Sequence, residues 1–110
     1  METKSPELLP GTLDLLILKV LLRGALHGYG IALRLKTISE DVLQVGESSL
    51  YPALQRLLLN GWVEAEWGVS DNNRRARFYR LTAAGRKQLA VERDQFHRIV
   101  TAIERVLETA

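Results

Sequence analysis

Cysteine is absent from this 110-residue chain. Disulfides and thiolate-held metals are therefore excluded, and a reducing, cytoplasmic compartment is the expectation. Histidine does not fill the gap, because His27 and His97 lie far apart with no repeated acid spacing, so no zinc site is expected. Long apolar runs are missing too. The most apolar stretch, LDLLILKVLL from Leu13 to Leu22, is too short to cross a bilayer and contains Asp14 and Lys19. It reads as a core helix, and no membrane partner is expected. The opening METKSPELLPG has neither the basic start nor the apolar centre of a secretory signal and reads as a loosely held, flexible arm over residues 1–11. A glycine-rich phosphate loop, a serine, histidine and acid grouping and any metal motif are likewise lacking. The chain is expected not to be an enzyme and to need no cofactor.

Neither sign of charge dominates: 15 basic residues face 13 acidic ones, for a net charge of +2. What these charges do is decided by where they lie. The length fits one domain with a single modest core.

Apolar spacing predicts five elements. Thr12 caps a helix to about Arg23 that is apolar on almost all sides, which implies burial against more than one neighbour. After GALHGYG a second helix runs from about Gly30 to Thr37, with Ile31, Leu33, Leu35 and Ile38 supplying apolar contacts. The third, within GESSLYPALQRL from Gly46, carries Leu50, Leu54, Leu57 and Leu58 at three- and four-residue steps. Ser48 or Ser49 is its expected N-cap, Pro52 falls in its first turn, and Asn60 and Gly61 stop it. Three short helices in this order form the core of a helix-turn-helix module.

From Trp62 to Leu81 the period changes. WVEAEW and RARFYRL, separated by the turn-forming GVSDNN, read as a β-hairpin. Its tip and second strand carry Arg74, Arg75, Arg77 and Arg80, and its first strand carries Glu64 and Glu66, placed to pair with some of them. Trp62 and Trp67 flank the first strand and are expected to pack between hairpin and helices. From Thr82, a capping residue, the helical period returns. Leu89, Phe96, Ile103 and Ala110 recur at seven-residue steps, with Ile99, Val100, Val106 and Leu107 between them. Such a stripe either folds back on its own domain or meets a second copy; about 25 residues of helix span nearly 40 Å, more than a domain this small covers, which favours a homodimer seam. The expected fold class is mainly α with a small β-hairpin.

Three stretches, HGYGIALRL (His27 to Leu35), SSLYPALQRLLLNGWVE (Ser48 to Glu64) and RRARFYRLTAAGRKQL (Arg74 to Leu89), resemble the PadR family of bacterial transcriptional regulators. The family is named for repressors that respond to phenolic acids, and the resemblance covers nearly the whole chain. It implies a winged helix-turn-helix DNA-binding domain over residues 1–81 and a dimerisation helix over 82–110, the short form with a single C-terminal helix. It further implies a ligand-responsive repressor that binds a palindromic operator as a homodimer. The operator and the effector do not carry over.

In a helix-turn-helix module the first residues of the second helix enter the major groove. Ser48, Ser49 and Tyr51 are the candidates there, where the helix dipole also favours phosphate. Gln55 is placed to read an adenine edge and Arg56 to reach phosphate or guanine. Two readings of Tyr51 stay open, a DNA contact and a core aromatic beside the stripe of Leu50 and Leu54. The resemblance puts the HGYG corner, with Tyr29, near the DNA backbone, and His27 reads as structural. Asn73, Arg74, Arg75 and Arg77 complete the DNA-binding set. A flat aromatic effector held by Phe96 near the dimer seam is a further candidate partner. The alternative is a winged-helix protein-docking module without DNA binding, which a neutral hairpin would favour and four arginines disfavour.

Overall fold

The computed structural model describes residues 11–110, so all of the N-terminal arm but Gly11 lies outside the described residues. In chain order the elements are α1 (Thr12–Val20), β1 (Leu26–His27), α2 (Gly28–Ile38), α3 (Glu47–Leu59), β2 (Val63–Val69), β3 (Arg75–Leu81) and α4 (Ala83–Glu108), with a 3₁₀ turn over Leu21–Arg23 after α1. The protein is mainly helical, and its sheet has three strands in the order β1-β3-β2. The third strand corrects the two-stranded hairpin. Leu26 pairs with Tyr79 and His27 with Phe78, which ties the HGYG corner directly to the hairpin.

The core is built from one face of every helix. Ile17, Leu18 and Leu21 from the first helical segment meet Ile31 and Leu35 of α2, Leu50, Ala53, Leu54 and Leu57 of α3, and Val63, Tyr79 and Leu81 of the sheet. Leu33 and Ile38, expected in this core, are exposed instead. Ile31 and Leu35 lie on one side of α2, Ala32 is half-buried beside them, and Leu33 and Arg34 turn to solvent.

Three helix starts differ from expectation. Thr12 does not cap α1; Gly11 does, with φ +84° and no side-chain bond. Neither Ser48 nor Ser49 caps α3, which begins earlier, at Glu47 after Gly46, and has no side-chain cap. Glu47 places a carboxylate at this helix N-terminus, where the dipole favours it. Pro52 consequently lies beyond the first turn, and the Ser48 carbonyl loses its i+4 amide partner. Both residues are exposed, so water can serve that carbonyl. The α2 start is the third case, because His27 caps it: its Nδ1 accepts the Gly30 amide hydrogen at 2.9 Å.

The stop after α3 is a Schellman turn. Gly61 adopts φ +74°, its amide donates to the Leu58 carbonyl and that of Trp62 to the Leu57 carbonyl, both at 3.0 Å. The α4 cap is as expected: Thr82 Oγ1 accepts from the Gly85 amide at 3.0 Å and donates to the Gly61 carbonyl at 2.7 Å. The first turns of α4 pack on the domain through Gly85 and Leu89. Leu89 therefore belongs to the protein's own core and not to an intermolecular seam. Farther on, Phe96 and Val100 are half-buried, and every residue from Thr101 onward is exposed.

Candidate nucleic-acid interface

Strand alternation explains how the hairpin, the wing, is furnished. Its ladder pairs Val63 with Leu81 and Ala65 with Tyr79, which face the core, and then Trp67 with Arg77 and Val69 with Arg75 on the same face. Beyond the edge of the core, that face carries an indole and two arginines. The opposite face carries Glu64 opposite Arg80, joined at 2.7 Å, and Glu66 opposite Phe78. Glu64 thus takes up Arg80, while Arg74, Arg75 and Arg77 have no ion-pair partner among the described residues. The tip turns at Asn73, which holds a left-handed φ of +59°, and closes through the Ser70 amide donating to the Arg74 carbonyl at 2.8 Å.

Between the wing and the helices lies an open cleft of about 670 Å³. Its walls include Tyr29 at the start of α2, Tyr51 on α3, Trp67 and Tyr79 on the sheet, and Arg74, Arg75 and Arg77 on the wing. The fold thus brings together aromatic and cationic side chains from three separate parts of the sequence. Tyr51 is 47% exposed and stands against Gly28, where an added Cβ would come within 3.0 Å of the phenol oxygen. Gly28 is what lets the ring sit at the head of α2. Tyr51 is neither a core aromatic nor a free surface residue; it bridges α3 to α2 with one side open to the cleft. Tyr29 is 71% exposed.

The remaining candidates fall in two groups. Ser48, Ser49 and Gln55 are exposed on α3. Arg56 is turned away to Asp14 of α1, with Nη2 to Oδ1 at 2.7 Å and Nε to Oδ2 at 3.4 Å. The hydrogen bond to Asp14 raises the guanidinium pKa above its ordinary value. In the free protein Arg56, placed from the sequence to reach phosphate or guanine, is engaged with Asp14. On α4, Ile99, Ile103, Val106 and Leu107 are all exposed apolar residues of one terminal helix.

Two residues of consequence escaped the sequence reading. Glu92 of α4 is partly buried; its Oε1 accepts from Gln88 Nε2 at 3.4 Å and its Oε2 is buried without a hydrogen-bond partner among the described residues. Burial raises its carboxyl pKa, the bond from Gln88 opposes that shift, and the negative Asp14 adds a smaller upward push. A lone Glu in a charged helix gives no sequence signal of this. Trp67, expected to pack between wing and helices, is 60% exposed, and the Arg75 guanidinium lies over its ring at 4.8 Å. Among the described residues no acid and histidine cluster could hold a metal ion, and no helix is long and apolar enough to cross a membrane.

Residues 17–91 match the model of the transcriptional regulator PadR-like family. The chain belongs to this family. A protein of Lysinibacillus sphaericus described as uncharacterized is 33% identical over 85 residues, 76% of this chain and 77% of its own. A transcriptional regulator of Clostridium thermocellum superposes with a TM-score of 0.79 at 26% identity, covering 86% of this chain and 92% of that one. Bacillus subtilis PadR, solved in complex with operator DNA, superposes with a TM-score of 0.63 at 26% identity over 72% of this chain and 46% of that one. The winged-helix architecture described above is that of PadR-like regulators.

Proposed function

We propose that this protein binds operator DNA through α3 and the wing and regulates transcription as a homodimer. The observation that carries this reading is the cleft, where Arg74, Arg75 and Arg77 of the wing, without an ion pair among the described residues, and Tyr51 of α3 line one gap open to solvent, with Ser48, Ser49 and Gln55 exposed on the same helix. Bacillus subtilis PadR, of the same fold, is a protein seen on its operator. In this reading α3 lies in the major groove, Gln55 reads a base edge, and Ser48, Ser49, Tyr51 and Tyr29 touch base edges or backbone. Asn73, Arg74, Arg75 and Arg77 supply phosphate contacts, and the protein acts in the cytoplasm, where DNA is within reach. Arg56 instead serves as a tether of α3 to α1.

The exposed stripe of Ile99, Ile103, Val106 and Leu107, with the half-buried Phe96 and Val100, is the dimer seam. Two-fold symmetry then calls for an inverted-repeat operator. Repression released by a small aromatic effector is the finest part of the proposal, with Phe96 as the ring such a molecule meets at the seam. A protein-docking module is disfavoured by three wing cations that have no ion pair among the described residues.

The test is affinity for a duplex over a range of salt, compared between the native protein and Arg74→Ala with Arg75→Ala. The slope of log affinity against log salt should flatten by about 0.9 for each phosphate that the variant no longer neutralises. Gln55→Ala should cost roughly 1–3 kcal/mol on a preferred site and leave the slope nearly unchanged. An intact slope in the arginine variant would reject the wing as the phosphate-binding element.

A further inference from the structure

Trp67 is an exposed indole on a two-stranded wing, and nothing in the core calls for it. The ladder shows what it does sit against. Counting outward from the core, one face of the wing presents Leu81 and Val63, then Tyr79 and Ala65, then Arg77 and Trp67, then Arg75 and Val69. Each cation leans inward by one step: Arg77 lies over the Tyr79 ring at 5.8 Å, and Arg75 over the Trp67 ring at 4.8 Å. Tyr79 is buried and needed by the core in any case. Trp67 has no such second duty, since it is 60% exposed and directly opposite Arg77.

An arginine at the edge of a wing normally samples many rotamers, and ordering it on contact with DNA opposes binding. A guanidinium stacked on an indole has lost part of that freedom beforehand, and its edge N–H groups stay free to donate while its face is occupied. Stacking also directs Arg75 back over the cleft shared with Tyr51 and Tyr29, where a bare stem at the wing tip would point into solvent.

We propose that Trp67 is a positioning residue of the DNA interface, holding the Arg75 guanidinium over the cleft so that it meets a phosphate. This rests on the DNA-binding reading above. A leucine at position 67 fits the strand equally well but has no ring face to offer, whereas phenylalanine keeps one.

The experiment is a double-mutant cycle on a labelled mixed-sequence duplex at low salt, read by fluorescence anisotropy, with thermal melting of each free variant. Trp67→Leu should weaken binding roughly two- to five-fold, the size of an exposed cation–π contact, without lowering the melting temperature. Trp67→Phe should restore most of that loss. In an Arg75→Ala background, Trp67→Leu should have no further effect. If Trp67→Leu binds as the native protein does, or repeats its full loss without Arg75, the positioning role is overturned. If the leucine variant folds poorly, Trp62→Phe leaves Trp67 as the single fluorophore. Its emission should shift when Arg75→Ala is added to the free protein and again when duplex is added to the Arg75-containing form; an unchanged emission in either step overturns the proposal. A native protein that binds no duplex at all would overturn the DNA-binding reading itself, an outcome distinct from either.

Discussion

Asp14 on α1 holds Arg56 on α3 by a two-pronged ion pair, 2.7 Å at its shorter contact, with Asp14 largely buried and Arg56 half-exposed. The pair links the first helix to the one proposed to read DNA. Because Arg56 is open to water, its contribution to stability should stay below about 1 kcal/mol. Affinity gives the sharper check. Asp14→Asn and Arg56→Ala should both weaken duplex binding, since each loosens α3. Tighter binding by Asp14→Asn would show that Arg56 is a DNA contact restrained by Asp14.

Glu92 makes the stability of the fold depend on pH. Burial raises its carboxyl pKa in the folded protein above the unfolded value. Its contribution to stability is therefore fully present below the unfolded pKa and is lost as pH rises through the folded pKa. At neutral pH the ionised carboxylate is a burden with one oxygen unsatisfied. Glu92→Gln should raise the melting temperature at pH 7, and the gain should vanish toward the acid side of the glutamate range. Melting curves over pH with equal gains at both ends would contradict the assignment.

Gly85, on the first turn of α4, is fixed by the chain beneath it. A Cβ there would collide with the Trp62 carbonyl oxygen and lie 2.8 Å from a Leu81 methyl. The obstacle is backbone and cannot swing away. Gly85→Ala should destabilise by roughly 1–3 kcal/mol or more, as over-packing of a tight site does, and denaturant melts would read it. A variant as stable as the native protein would mean that α4 can slide on the sheet.

The α4 stripe predicts oligomeric state. Ile103 is 44% exposed in the single chain, and an unpaired charge buried at its position in a dimer is strongly unfavourable. Ile103→Glu should give a monomer by light scattering while circular dichroism stays helical. A folded dimer of unchanged stability would move the seam elsewhere.

Periodicity carried most of the fold, because apolar spacing reports burial directly: Leu50, Leu54 and Leu57 lie where their three- and four-residue steps put them. The same signal failed on α4, where Leu89 continues the seven-residue repeat of Phe96 and Ile103 yet faces the protein's own core. A repeat records which side of a helix is apolar and not which neighbour covers it. Strand β1 is two residues long and has no alternation to detect; it exists because β3 offers it an edge. Serine is a common cap, but α3 starts at Glu47 after Gly46 with no side-chain cap, the Gly46 carbonyl accepting from the Ser49 and Leu50 amides. Asp14 and Arg56 are 42 positions apart, and nothing local marks them as partners. In the cleft, the arginines and Tyr51 were legible as residue types, but the exposure of Trp67 and the seat of Tyr51 on Gly28 depend on packing across elements.

Recovery of bound sequences from a random duplex library, using the unmodified protein, decides whether this chain reads DNA as a dimer. The predicted result is an enriched inverted repeat with half-sites about one helical turn apart, bound by two chains per duplex. Enrichment of an unsymmetrical single site carrying one chain, or no enrichment above the starting library, would contradict a dimeric regulator that reads DNA through α3 and the wing.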